Sequence, residues 1–176
     1  MPGTPDNTRM TKLAVPMGQT TPEELSPEAT EILQAATRLL VGMALRSLDA
    51  LGAAVTLPQF RLLAVLADLG PVPSGQAART LGLDRSTITR LADRLVAAGH
   101  VSRGSDPRHR GIVVLELTGS GRDLVAKVDA WRHQEMAQIM GRLAPADRAG
   151  VLAALSQLAQ AAGDDYAMTA RSPVPL

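Results

Sequence analysis

Cysteine is absent from the 176 residues. Disulfides, thiolate nucleophiles, cysteine-ligated zinc and thiol-based redox switching are therefore excluded. Aromatic side chains are scarce, with one Trp, one Tyr and one Phe making 2% of the chain. Since 45% of residues are apolar, the core has to be aliphatic. That favours packed helices over a β-sandwich, where aromatic and β-branched residues dominate. The three histidines, His100, His109 and His133, match no metal-binding spacing. No stretch approaches the ~18 uninterrupted apolar residues of a membrane span. No apolar run follows Arg9 and Lys12, so no signal peptide is expected and the cytoplasm is the expected location.

Lysine is also scarce, and its two copies, Lys12 and Lys127, lie outside the central segment. From Leu57 to Thr118 there are eight arginines against five acids, a local excess of three on a chain whose net charge is only +1. The positive charge is thus concentrated in one region and carried entirely by Arg. Its planar fork suits bidentate contacts to phosphate and guanine.

Residues 1–22 are rich in Pro, Gly and Thr without a period and read as an N-terminal arm; residues 163–176 read as a similar tail. Between them, 23–162 read as one domain. Ser26-Pro27-Glu28 opens a first helix expected to run to about Leu51, apolar on more than one side through Ile32, Leu39, Leu40, Met43 and Leu45. Thr56-Leu57-Pro58-Gln59 is a capping box opening a second helix, with Phe60, Leu63, Ala64 and Ala67 on one face. Pro71-Val72-Pro73 is extended. Ser74 is the expected cap of a third helix ending at Gly82, and Asp84 of a fourth ending near Ala98. His100–Arg103 and Gly111–Leu117 read as the two strands of a hairpin around a Gly/Pro/Asp loop. Thr118 and Pro145 begin two final helices. The expected fold is mainly α with a small β component, in the order α-α-β-α-α-β-β-α-α.

The segment 74–95, SGQAARTLGLDRSTITRLADRL, carries the most information. Two short helices joined by a tight turn cross steeply. This demands a small residue at the approach (Ala78), a glycine at the turn (Gly82), and apolar residues pinning the second helix (Ile88 and Leu91). That spacing is the helix-turn-helix spacing. At about 100° per residue the fourth helix splits into two faces. Ile88, Leu91, Ala92, Leu95 and Val96 form an apolar stripe. Ser86, Arg90, Asp93 and Ala97 lie opposite, flanked by Thr87, Thr89 and Arg94. Short hydroxyls with arginine let a helix sit deep in a major groove. The hairpin tip, with Ser105, Arg108, His109 and Arg110, is too polar to pack and can reach a minor groove.

These residues resemble the MarR family of winged helix-turn-helix regulators. The resemblance rests on Asp106-Pro107-Arg108 followed by Leu117-Thr118, on TLPQFRLLAVL (56–66), LDRSTITRLADRLVAAGHVSR (83–103) and LTGSGRDL (117–124). It covers about residues 26–162. Where the family's wing reads D-P-R-D-R-R, this chain reads D-P-R-H-R-G over 106–111. The family's Asp–Arg pair at those two places is absent, so the choice between Arg110 and Arg108 as the residue entering the groove stays open.

The resemblance implies a winged core at 56–118 and dimerisation helices at 26–51 and 119–162. It implies a homodimer that presents two fourth helices to a pseudo-palindromic double-stranded DNA operator. Ser86, Thr87, Thr89 and Arg90 would face bases and adjoining phosphates, Arg85 and Arg94 would contact phosphates, and Arg108 and Arg110 would serve the wing. It implies a repressor relieved by a small aromatic or phenolic effector, with Met43, Arg46, Arg61 and Trp131 as candidate lining residues. Two other classes compete: a winged-helix regulator of another family, and a winged-helix adaptor that binds protein. An enzyme is not expected. GSGRD (119–123) resembles a phosphate loop only superficially, because it lacks the Lys-Ser/Thr ending and begins a capped helix. No nucleophile motif is present, and no metal, cofactor or membrane partner is expected.

Overall fold

The computed structural model describes residues 25–50, 52, 55–106, 109 and 111–163. The N-terminal arm, most of the C-terminal tail and Leu51 lie outside them. The chain divides into two units between Ala36 and Thr37. In the first, Ser26 accepts the Ala29 N–H on its hydroxyl at 3.1 Å, which opens helix α1 (Pro27–Asp49) as the capping residues predict.

In the second unit the order is α2 (Leu57–Leu69), β1 (Val72–Pro73), α3 (Ser74–Leu81), α4 (Arg85–Ala97), β2 (Val101–Ser105), β3 (Val113–Leu117), α5 (Gly119–Gly141) and α6 (Pro145–Ala162). It is mainly helical with a three-stranded antiparallel sheet in the order β1-β3-β2. Val72 pairs with Leu115 and Val101 with Leu117. Pro73 can end β1 because β1 is an edge strand, where a missing N–H costs no ladder bond.

The core centres on α2. Its Thr56 N–H donates to Gln59 Oε1 at 2.7 Å, the reach-back of the capping box. The spacing predicted a single apolar face. Instead, every residue from Gln59 to Leu66 except Ala64 is buried, with Leu62, Leu63 and Val65 fully so. The cause is that α2 packs against α3, α4, β3 and α5 together. Ala77, Ala78, Leu81, Ile88, Leu91, Ala92 and Leu95 complete the packing from α3 and α4, and Val101, Leu115, Leu117, Leu124 and Val128 from the sheet and α5.

Three local expectations shift. Pro73, extended and paired to β3, occupies the cap position of α3, so Ser74 is the first helical residue and not the cap. Val96 is 37% exposed and lies outside the buried stripe of α4. The hairpin ladder runs further toward the tip than composition suggests, with Ser105 opposite Val113.

Candidate nucleic-acid interface

The turn between α3 and α4 is set by Gly82, at φ +65° and ψ +29°. A side chain there would meet the steric cost of the left-handed region, so glycine is the favoured residue. The Leu83 N–H returns to the Ala78 carbonyl at 2.9 Å and closes the end of α3. Ile88 (1% exposed) and Leu91 (8%) pin α4 on the core, as the helix-turn-helix spacing requires.

Asp84 organises the start of α4. Its carboxylate accepts the Ser86 hydroxyl at 2.6 Å, the Thr87 hydroxyl at 2.7 Å and the Thr87 N–H at 2.9 Å. The Ser86 hydroxyl, followed by the two Thr87 donors, holds the Asp84 carboxyl well below the usual carboxylate range. Thr89 donates its hydroxyl to the Arg85 carbonyl at 2.8 Å, and Arg90 Nη2 reaches Thr87 Oγ1 at 3.4 Å.

Ser86, Thr89, Arg90, Arg85 and Arg94 are exposed and Thr87 is half-buried, so α4 presents one polar surface turned away from the core. Among the described residues no ion pair engages Arg85, Arg90 or Arg94. A cleft of about 450 Å³ between α3, α4 and the start of β3 gathers Arg79, Arg85, Ser74, Gln76 and Thr89. It places two guanidinium groups beside the hydroxyl-bearing face.

Arg103 of β2 escaped attention in the sequence. It pairs with Asp93 of α4 at 2.6 Å and donates to the Thr89 carbonyl at 3.2 Å. It therefore offsets the one acid on the exposed face and ties the hairpin to α4. The signal was available: Asp93 lies among arginines on that face, where an unpaired acid would repel phosphate. Toward the hairpin tip the Asp106 carboxylate accepts the His109 N–H at 3.0 Å, and the His109 carbonyl accepts the Ile112 N–H at 2.9 Å. Arg108 and Arg110 lie outside the described residues.

Of the four candidates for a small-molecule crevice, Met43 is buried, Trp131 half-buried, Arg46 exposed, and Arg61 buried within α2. Met43 does line a shallow cavity of about 340 Å³, together with Leu40, Ala44, Arg132, His133 and Met136. Arg132 is the residue that sequence reasoning missed. Its Nε donates to Ser47 at 3.0 Å, its guanidinium lies 4.8 Å from the centre of the Phe60 ring, and Asp129 is 3.9 Å away. Its Nη2 is buried without a partner among the described residues, and burial lowers its pKa against the opposing pull of Asp129. Arg132 stands four residues beyond Val128 and eight beyond Leu124, both buried, so the helical period already turned it inward.

Among the described residues no group of His, Asp or Glu could hold a metal ion, and no helix is long and apolar enough to cross a membrane.

Two short helices joined at a left-handed glycine, an exposed polar face on the second and a hairpin tied to it through Arg103 define a winged helix-turn-helix protein. The chain belongs to the MarR family, whose profile matches residues 55–110. It is 37% identical to RV1404 from Mycobacterium tuberculosis, with a TM-score of 0.74 over 80% of this chain and 97% of that one. It is 34% identical to the HTH-type transcriptional regulator TtmR of Methylorubrum extorquens, over 66% of this chain and 58% of TtmR. It is 31% identical to the HTH-type transcriptional repressor NicR of Pseudomonas putida, over 57% of this chain and 63% of NicR. The chain thus spans between 40% and 63% of the length of the first curated relatives it matches.

Proposed function

We propose that this chain is a sequence-specific double-stranded DNA-binding transcription regulator. It acts as a cytoplasmic homodimer on a pseudo-palindromic operator and represses until a small ligand binds. The observation that carries the reading is the α4 surface: hydroxyls beside arginines that no ion pair engages among the described residues, with Arg103 bracing this helix against the wing. An ordinary solvated helix has no need of that bracing, whereas a helix entering a major groove beside a hairpin does. Ser86, Thr87, Thr89 and Arg90 serve as the base-facing set, Arg85 and Arg94 as phosphate contacts, and the wing arginines Arg108 and Arg110 as groove contacts.

Dimerisation is supported by the terminal helices. Leu39, Leu40, Val41 and Leu45 of α1 and Leu152, Leu155 and Leu158 of α6 are each at least 38% exposed. An apolar surface of this kind marks an association face. Ligand relief is supported by the cavity lined by Leu40, Met43, Met136 and Arg132, whose buried Nη2 has no partner among the described residues. A small aromatic carboxylate or phenolate offers the missing acceptor and an apolar body.

The test is selection of bound duplex from a random pool, followed by titration at several salt concentrations. A specific duplex is expected, with affinity falling steeply as salt rises. Arg90→Ala should lower the slope of log affinity against log salt by about one unit. Binding that is absent or insensitive to salt would instead favour the protein-binding adaptor.

A further inference from the structure

Hydroxyl groups are usually counted as donors or acceptors at will, because the proton rotates to suit. On α4 that freedom is gone. Ser86 is 2.6 Å and Thr87 2.7 Å from the Asp84 carboxylate, and Thr89 is 2.8 Å from the Arg85 carbonyl. A carboxylate and a backbone carbonyl can only accept. Each of the three hydroxyls must therefore be the donor, and its single proton points into the protein. What remains outward on each oxygen is lone pairs. One of these on Thr87 already receives Arg90 Nη2 at 3.4 Å. Ser86 and Thr89, both exposed, keep theirs open.

In the major groove the only donors on the bases are exocyclic amines, N6 of adenine and N4 of cytosine; N7, O6 and O4 are acceptors. Phosphate oxygens also only accept. An oxygen that shows lone pairs alone can pair with the amines and with nothing else on the duplex. We infer that Ser86 and Thr89 select the operator as hydrogen-bond acceptors, each reading an exocyclic amine of adenine or cytosine, while the arginines of the same face supply every donor. This inference rests on the DNA-binding reading above. It divides that face into two chemical halves, so that the hydroxyls fix which strand carries the amine and the arginines answer to guanine and phosphate. Turning the Ser86 hydroxyl round to donate would break a charge-assisted bond at the cap of α4, and turning that of Thr89 would break its bond to the Arg85 carbonyl, so both disfavour the opposite polarity.

The experiment uses the full chain and the duplex selected from a random pool. Each adenine of a half-site is replaced in turn by purine, which lacks only N6, and each cytosine by 2-pyrimidinone, which lacks only N4. At one such position the wild-type protein should lose roughly 5- to 100-fold in affinity. Ser86→Ala should bind more weakly from the outset and lose nothing further from that same replacement. Thr89→Val should show the matching pattern at a second position. Both sites are exposed, and the Asp84 cap still accepts the Thr87 N–H and hydroxyl, so the variants keep their fold. Asp84→Ala, which releases the Ser86 and Thr87 protons but not that of Thr89, should move the Ser86 coupling from the amine to an acceptor, detected with 7-deazaguanine or 7-deazaadenine. If every amine deletion costs wild type and Ser86→Ala alike, or if wild-type Ser86 couples to N7 instead, the polarity is wrong although DNA binding stands. If no duplex is selected, the DNA-binding reading fails and this inference falls with it.

Discussion

The winged core and the terminal helices treat the same residue type in opposite ways. In α2, Leu62 and Leu63 are fully buried. In α6, no residue is buried, and Leu152 and Leu158 are 59% and 55% exposed. Both helices are rich in leucine and alanine, so composition does not separate them. What differs is the number of neighbours. α2 has partners on four sides, whereas α6 keeps its apolar side chains in contact with solvent. The core lies within one chain, while α6 and one side of α1 leave apolar side chains exposed.

Truncating a leucine in each region should break this comparison if it is wrong. Leu62→Ala removes a side chain with no exposure and should cost about 3 kcal/mol, seen as a fall in Tm at every protein concentration. Leu158→Ala should change the dilute protein by no more than about 0.5 kcal/mol. It should lower Tm only where the protein is concentrated enough to associate. Equal, concentration-independent losses at both sites would show that α6 belongs to the intramolecular core.

A second prediction sharpens the boundary of the core. Gly121 sits in the first turn of α5, where a Cβ would overlap the His100 carbonyl oxygen. Both atoms are backbone or nearly so, and neither can swing aside. Gly121→Ala should destabilise by about 2 kcal/mol. It should also loosen the start of the hairpin, where Thr118 donates its hydroxyl to Gly99 at 2.7 Å. The change is read as a Tm shift together with faster amide exchange at Val101. An unchanged Tm would mean that α5 does not need this close approach. Gly121 of GSGRD thus has a packing reason, whereas a Cβ at Gly119 would meet open space.

The smallest effect belongs to Asp84. Its carboxyl has a depressed pKa in the folded chain, so the unfolded chain takes up a proton first as pH falls. The stability it contributes is fully present above the ordinary carboxylate range and declines as pH falls through and below that range. Thermal melts of the wild type and Asp84→Ala should differ by a constant amount from pH 7 to about 5 and converge at lower pH. A gap that widens on acidification would contradict the cap.

Local signals were legible wherever chemistry acts over three or four residues. The cap bonds of Ser26, Gln59, Asp84 and Thr118, the left-handed Gly82, and the buried pair Ile88 and Leu91 were all readable from spacing. So were the order of elements and the exposed, hydroxyl-bearing face of α4. Arg103 and Arg132 were not singled out, because each acts on a residue far away in sequence. Arg103 reaches back to Asp93 and Thr89, and Arg132 reaches Ser47 across 85 positions.

The amino-acid order alone therefore determined the order of elements, the tight turn at Gly82, the aliphatic core and the family, since most capping, backbone dihedrals and apolar period are local quantities. Tertiary structure alone decided that α2 is enclosed on four sides, that β1 completes the sheet against β3, and that Arg103 braces the wing. It also decided that Arg132 keeps a buried N–H without an acceptor. Burial, strand partnership and ion pairing depend on what lies across space from a residue, and a period read along one helix carries no record of its neighbours.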